Sequence, residues 1–194
     1  MARTGDTIEH PVTGERIEFL TTAEDTGGES LRMELLVEPR GFAAAEHVHP
    51  KQDERFEILS GTLSYRVDSV EREAGAGDEL VIPKGVPHVW ENGGDEDLRM
   101  ILEFRPALRS AEFFESYFGL GQDGKTNPKT GLPNPIRMAA LLQEFRDEIH
   151  LARPPLFVQR TVFGTLALVG RLLGYPARYP YPYAGRHGTV TTAR

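Results

Sequence analysis

The chain has 194 residues, 39% of them hydrophobic and 26% charged, which suits a protein with one substantial buried core. It contains no cysteine, so disulfides, thiolate catalysis and sulfur-ligated metals are excluded. The formal net charge of −7 is uneven, because residues 151–194 hold six arginines and no lysine or acidic residue, which leaves −13 for residues 1–150.

The first hundred residues carry the signals of an antiparallel β-protein. Short apolar or alternating segments are separated by glycine, proline and asparagine turns, a pattern typical of a barrel or sandwich. We predict strands at residues 16–20, 31–38, 56–61, 63–67, 79–82, 88–91 and 98–104. Segments 56–61 and 63–67 are predicted to pair as a hairpin, with Ser60 and Gly61 at its turn.

After Pro106 the apolar period changes from 2 to about 3.6, which predicts helices. A short aromatic helix is expected over residues 111–118, ended by Gly119. Asn134 is a good N-cap for a second helix of about 15 residues, whose predicted apolar stripe is Met138, Leu142, Phe145 and Ile149, with His150 near its end.

A third helix is predicted from Pro154 to about Leu173, with Gly174 as its stop. Arginines 160 and 171 form its only strongly polar line, and the remainder is apolar almost all round. Such a helix is expected to be buried in the core or in a dimer interface, and a membrane surface is the alternative.

Three histidines and one carboxylate stand out as metal-ligand candidates. His47 and His49 are one residue apart, so on a strand both side chains point to one face, and Glu54 follows five positions after His49. His88 lies in a second segment punctuated by glycine and proline. Imidazole and carboxylate ligands without thiolate suit one divalent Fe, Mn, Ni, Co, Cu or Zn ion.

The spacing around these residues forms two motifs. The first is Gly41-x5-His47-x-His49-x4-Glu54-x6-Gly61, and the second is Gly77-x5-Pro83-x-Gly85-x2-His88-x3-Asn92. Both fit the two motifs of the cupin superfamily without a gap, so the protein resembles a small bacterial single-domain cupin over about residues 15–105.

The resemblance implies a mostly β fold, a double-stranded β-helix or jelly-roll barrel, which here has an α-helical C-terminal extension. It also implies that His47, His49, Glu54 and His88 bind one metal inside the barrel. We therefore predict a cupin domain over residues 1–106. Residues 107–194 are predicted to be a helical extension that packs on the barrel or in a dimer interface.

Other strand residues are candidates for shaping the site. Trp90 shares a strand face with His88, as Phe56 and Ile58 share one with Glu54, so these three are expected to form apolar pocket walls or core. The polar strand residues to consider as acid, base or anion clamp are Glu34, Tyr65, Glu103 and Arg105. For each of these the alternative is a position on the solvated outer face.

The leading functional hypothesis is a metal-dependent enzyme, an oxidoreductase of the dioxygenase type or an isomerase, that acts on a small oxygen-bearing organic molecule. The alternative is a non-catalytic module that binds or senses a metal or metabolite and uses its C-terminal helices as a partner surface. We expect a homodimer, with peripheral membrane contact through residues 155–173 as a weaker option.

Composition also bears on location and on other partners. No apolar run reaches the length of a membrane span, and the N-terminus has no apolar signal core, so a cytoplasmic protein is expected. The net charge of −7 speaks against direct nucleic-acid binding.

Three further features are not assigned to the site. Residues 119–126 match a phosphate-binding loop pattern, but an expected helix precedes them and turn residues follow, so we treat the match as coincidental. His10 and His187 are isolated in the sequence and are expected at the surface.

Overall fold

A computed structural model of the protein describes residues 1–43 and 45–183, and His187 lies outside this range. The described residues form eleven strands and three helices. In chain order the strands are β1 (Thr7–His10), β2 (Glu15–Thr21), β3 (Leu31–Val37), β4 (His47–Val48), β5 (Asp53–Ser60), β6 (Thr62–Val67), β7 (Val70–Gly75), β8 (Glu79–Ile82), β9 (His88–Asn92), β10 (Leu98–Arg105) and β11 (His150–Leu151). The helices are α1 (Ser110–Gln122), α2 (Pro135–Glu144) and α3 (Leu156–Leu172).

The strands form two antiparallel sheets that face each other as a jelly roll. One sheet has the order β1-β2-β3-β10-β5-β8 and the other β11-β4-β9-β6-β7. The interior is filled by alternate residues of each strand, among them Phe19, Met33, Leu35, Phe56 and Leu102, all at most 1% exposed. The predicted fold class, a mostly β double-stranded β-helix with a helical C-terminal part, is confirmed.

The predicted hairpin between β5 and β6 is wrong, because consecutive strands here pass from one sheet to the other. β5 pairs with β10 and β8, whereas β6 pairs with β7 and β9. Gly61 makes this crossing with φ +82°, and a Cβ there would lie 2.8 Å from the carbonyl oxygen of Asp97.

The hairpin in this region is instead β6–β7. It turns through Asp68 and Ser69, whose φ angles of 49° and 67° are those of a turn that matches strand twist. The sequence did not predict β7, because its residues are mostly polar and exposed at the sheet edge.

Helix α1 extends past the stop expected at Gly119. A Cβ on Gly119 would lie 2.5 Å from the Pro180 carbonyl oxygen, and one on Gly121 would lie 2.7 Å from His10 Nε2. These glycines therefore permit close packing inside a helix that ends at Gln122. The residues of the phosphate-loop pattern thus run from the end of a helix into a turn, where no such loop forms.

Helix α2 begins as predicted but is shorter. Asn134 caps it by accepting hydrogen bonds from the amides of Ile136 and Arg137 at 3.1 and 3.0 Å. It ends at Glu144, after which a turn leads into β11, so His150 lies in a strand and the prediction of a helical end there is wrong.

Helix α3 has the predicted bounds within two residues but is not part of the core. Only Gln159 and Gly170 are buried along it, and Phe157, Leu168 and Leu172 are 72%, 59% and 84% exposed. It packs on α2 along one side only. No described helix is both long enough and apolar enough to cross a membrane.

Candidate metal centre

The four motif residues meet between the two sheets. His47 begins β4 and His49 follows it, while β9 places His88 opposite His47 in register and β5 contributes Glu54 from the other sheet. The four side chains are at most 8% exposed, and one ligand atom from each lies within 4.8 Å of the others. The described structure thus contains a buried cluster of three imidazoles and a carboxylate.

Backbone carbonyls orient the three rings. His47 Nδ1 donates to the Ala45 oxygen at 2.8 Å, and His88 Nδ1 donates to the Val86 oxygen at 3.0 Å. His49 Nδ1 donates at 2.7 Å to the backbone carbonyl oxygen of Glu148, a residue 99 positions further along the chain. With Nδ1 acting as donor, each Nε2 presents a lone pair to the centre of the cluster, as metal-ligating histidines do.

The inward atoms form a set that suits a cation. His88 Nε2 lies 2.6 Å and His49 Nε2 lies 3.6 Å from Glu54 Oε2. These three buried atoms have no partner with hydrogen-bond geometry among the described residues. Facing lone pairs at such distances are stabilised by a cation between them, either a proton on imidazole or a metal ion. The donor set therefore fits a divalent transition metal.

Ionisation favours the ligand form of three of the four residues at neutral pH, namely His47, His49 and Glu54. Burial, followed by the neighbouring His88 and His49, lowers the pKa of His47 to about 3. Burial also lowers the pKa of His49. Burial alone would raise the pKa of Glu54, but the surrounding imidazoles outweigh it and hold the value at about 2. For His88 the penalty of burial is outweighed by Glu54, which raises the pKa.

An apolar cavity of about 90 Å³ adjoins the cluster at His47. Trp90 and Ala43 line it from the barrel, and the first two helices cover it with aromatic and aliphatic side chains. Those covering residues are Phe113, Phe114, Tyr117, Phe118, Met138, Leu141 and Leu142. The side chains in its wall that carry ionisable groups are His47, Glu15 and Tyr117. A ligand beside the cluster would therefore meet a dry, largely apolar environment of aliphatic and aromatic side chains.

The structure does not bring the four acid, base or clamp candidates to this cavity. Glu34 lies on the outer face of its sheet and accepts from Arg99 Nε at 3.1 Å. Glu103 accepts from Arg105 Nε at 2.6 Å, and Arg105 also donates to Glu29 at 2.6 Å, again on the outer face. Tyr65 alone of the four faces inward, opposite Trp90, but it does not line the cavity.

Of the three residues expected to form apolar pocket walls, one lines the cavity and two do not. Trp90 lines the cavity and is 5% exposed. Phe56 and Ile58 lie on the interior face with Glu54, but they are packed into the barrel core away from the cavity wall. Their core alternative therefore describes them better.

Sequence reasoning missed three buried polar residues near the site. His10, expected at the surface, is 1% exposed and stacks on Tyr117 with ring centroids 4.8 Å apart. Glu15 is 6% exposed and lines the cavity. It shares a strand face with Ile17 and Phe19, and this two-residue spacing could have indicated that it is buried. Glu148, which fixes His49, carried no local signal because it acts through its backbone.

Comparison with known proteins agrees with this site. A family model described as "Cupin domain" matches residues 33–104. Protein SchB of Streptomyces halstedii is 30% identical over 93 residues, 48% of this chain and 67% of that protein. Polyketide synthase CurC of Streptomyces cyaneus is also 30% identical over 93 residues, covering 48% of this chain and 60% of the relative. The matches thus span about three fifths to two thirds of these relatives.

Solved structures match parts of this chain at low sequence identity. A predicted oxalate decarboxylase from Thermotoga maritima is 20% identical with a TM-score of 0.49, covering 55% of this chain and 99% of its own. An RmlC-like cupin from Shewanella frigidimarina is 19% identical with a TM-score of 0.46, covering 55% and 88%. The family model covers both motifs, and the two-sheet barrel and the buried cluster lie within or beside the matched segment. The chain therefore belongs to the cupin superfamily.

Proposed function

We propose that this cupin is a metal-dependent enzyme that acts on a small, largely apolar organic molecule bearing oxygen ligands. The observation that carries the proposal is the position of the buried His47, His49, Glu54 and His88 cluster beside an aromatic cavity. Three neutral imidazoles and one carboxylate leave a divalent ion with net positive charge and open positions. When bound, such an ion would polarise a carbonyl or enol oxygen.

The chain's own residues would bind and shield the ligand. The cavity is smaller than the ~150 Å³ that accommodates benzene in an engineered protein core, so a ligand must be small or the helical cover must move. The aromatic walls exclude water, which strengthens polar contacts at the cluster. The relative named as a polyketide synthase supports a ketone-bearing substrate. We favour metal-assisted isomerisation over oxygen-dependent cleavage, because isomerisation needs only proton movement.

Metal content and ligand binding test this proposal together. The protein, purified without chelators, is expected to carry close to one transition metal ion per chain, and His49→Ala is expected to lose it. Acetylacetone, a small 1,3-diketone, is expected to change the emission of Trp90, the only tryptophan of the chain. Protein that contains no metal and binds none when Zn, Mn or Fe is supplied would refute the proposal.

The second candidate is a non-catalytic binding or sensing module that uses its C-terminal helices as a partner surface. The exposed apolar side of α3 favours such a surface, which could equally contact a second copy. We propose that the outer face of α3, defined by Phe157, Leu168 and Leu172, joins two copies of the protein. The three side chains lie within one narrow sector of the helix and are more than half exposed, which is the expected state of an interface residue in a single copy.

Light scattering tests the dimer. The double variant Leu168→Lys and Leu172→Lys is expected to halve the measured mass, while Val81→Lys, at an equally exposed site on β8, leaves it unchanged. A monomeric wild type would overturn the proposal. Flotation of the same α3 variant with anionic vesicles would identify the alternative of membrane contact, if the wild type floats and the variant does not.

The extension and the location of the protein also remain proposals. We propose that residues 1–106 form the barrel unit and that residues 107–183 act as its cover, since their first two helices line the cavity. A cytoplasmic location stays a prediction from the sequence.

A further inference from the structure

Glu15 is a buried carboxyl group in the wall of the cavity and is not one of the cluster's ligands. It begins β2 on the interior side with Ile17 and Phe19, and it is 6% exposed. The Thr13 hydroxyl donates to its Oε2 at 2.6 Å. Three of the residues that line the cavity carry ionisable groups: Glu15, His47 and Tyr117.

No cation faces this carboxylate among the described residues. His10, its partner across β1–β2, accepts hydrogen bonds at Nδ1 from the amides of Val12 and Thr13, and burial lowers its pKa to about 4. The Tyr117 hydroxyl donates to the Gly131 carbonyl at 3.2 Å, and burial with the nearby Glu15 charge raises its pKa. His47 is neutral as well. Glu15 therefore lacks an ion-pair partner such as Arg105 gives to the outer-face Glu103.

The isolation of Glu15 has a chemical consequence. Burial raises its pKa to about 7, against the opposing hydrogen bond from Thr13. A carboxyl that changes charge near neutrality, with one neutral donor and an apolar cavity before it, can both take and return a proton. If this position had only a structural role, an uncharged side chain would give a more stable fold, because an unpaired buried carboxylate costs stability.

We propose that Glu15 is the proton-transfer residue of the cavity, acting on an apolar carbonyl compound whose oxygen lies at the metal cluster. This inference rests on the proposed function. The Glu15 carboxylate removes a proton from the carbon beside the carbonyl group. The C–H bonding electrons form a carbon–carbon double bond and the carbonyl π electrons move to oxygen. The electron pair on oxygen then re-forms the carbonyl group as the same carboxyl returns the proton. Return to the same carbon is an exchange; in a ligand with a double bond beside that carbon, the double bond shifts toward the carbonyl group and the proton goes to its far carbon, which is an isomerisation that needs no oxidant or reductant.

Acetylacetone tests the assignment, because exchange of its central methylene hydrogens with D₂O requires proton removal from carbon. We compare zinc-loaded wild type, Glu15→Gln and the control Glu103→Gln, which alters a buried glutamate on the outer face. Glu15→Gln is expected to bind acetylacetone within about threefold of wild type, by Trp90 emission, and to lose about 100-fold or more of the exchange rate. Glu103→Gln is expected to keep both properties.

Two further readouts separate proton transfer from a structural role. Infrared difference spectra of wild type between pH 5 and 9 should show a buried protonated carboxyl band that titrates near pH 7 and is absent in Glu15→Gln. Thr13→Val removes the hydrogen bond that favours the carboxylate, so the pH midpoint of exchange should rise while binding persists.

The outcomes distinguish this inference from the proposed function. Exchange at the wild-type rate in a folded Glu15→Gln, or the absence of a titrating band assigned to Glu15, overturns the assignment and leaves the metal-dependent function standing. Failure of the zinc-loaded wild type to accelerate exchange above buffer overturns both. If Glu15→Gln does not fold, Glu15→Asp replaces it, and an unchanged exchange rate and pH profile in that shorter acid would refute the geometry.

Discussion

Replacing Gly121 by alanine tests the contact that holds α1 against the first strand of the barrel. Where a helix has room for an added methyl group, alanine stabilises it relative to glycine by up to ~1 kcal/mol. At Gly121 the new methyl group would lie 2.7 Å from Nε2 and 2.8 Å from Cδ2 of His10. That ring is 1% exposed and stacked on Tyr117, so it has little room to move. Overpacking of this kind costs about 1–3 kcal/mol, which outweighs the helical gain.

Gly164 provides the matched control, because it lies inside α3 and a Cβ there would meet nothing within 4 Å. The free energies of unfolding of Gly121→Ala and Gly164→Ala should therefore differ by about 1–3 kcal/mol, with Gly164→Ala the more stable. Urea unfolding followed by circular dichroism measures this, and each kcal/mol should shift the melting temperature by about 2–4 °C. Equal stability of the two variants would refute the close packing of α1 on His10.

Three other predictions follow from the site and its cover. His88→Ala should abolish stoichiometric metal binding measured by elemental analysis, whereas His150→Ala should retain it, because His150 lies on the neighbouring β11 outside the cluster. Glu15 has its pKa raised from 4.5 to about 7, so its stabilising effect is present below pH 4.5 and lost as pH rises to 7. Glu15→Gln should therefore match wild type in urea unfolding at pH 4 and exceed it by up to about 3 kcal/mol at pH 8, and equal stability at both pH values would contradict this. Asn134→Ala removes the cap of α2 and should cost about 1 kcal/mol in the same assay, while retained stability would show that the cap is dispensable.

The ligand cluster could be predicted from the sequence in two ways. The one-residue spacing of His47 and His49 fixes their common face, whereas the convergence of Glu54 and His88 on them was implied by the resemblance to the two cupin motifs. The asparagine of the second motif joins segments that are distant in the sequence. Asn92 donates from Nδ2 to the carbonyl oxygens of Val37, Glu38 and Glu96 at 2.9, 3.1 and 2.8 Å.

Strand pairing and helix ends were harder to predict, since they depend on distant contacts. The turn residues after β5 look like those of a hairpin, but barrel closure sends β6 to the opposite sheet. Gly119 looks like a helix stop, yet the helix continues to Gln122, and the missing Cβ instead leaves room for the Pro180 carbonyl group. His10 looks exposed on a short edge strand until α1 covers it.

The helical extension completes the centre that the barrel begins. Its turn residue Glu148 accepts the hydrogen bond from His49, and the same residue's carboxylate accepts from the Arg109 amide at the start of α1, at 3.2 Å. The family model ends at residue 104, so every cavity residue from α1 and α2 lies beyond it. The acidic and imidazole groups of the cavity, Glu15 and His47, thus come from barrel strands, whereas most of its apolar wall comes from the extension. Under the proposed function, selectivity among small ligands should therefore change with substitutions at cavity positions such as Phe113 and Leu141, and elemental analysis should show metal content unchanged in these variants.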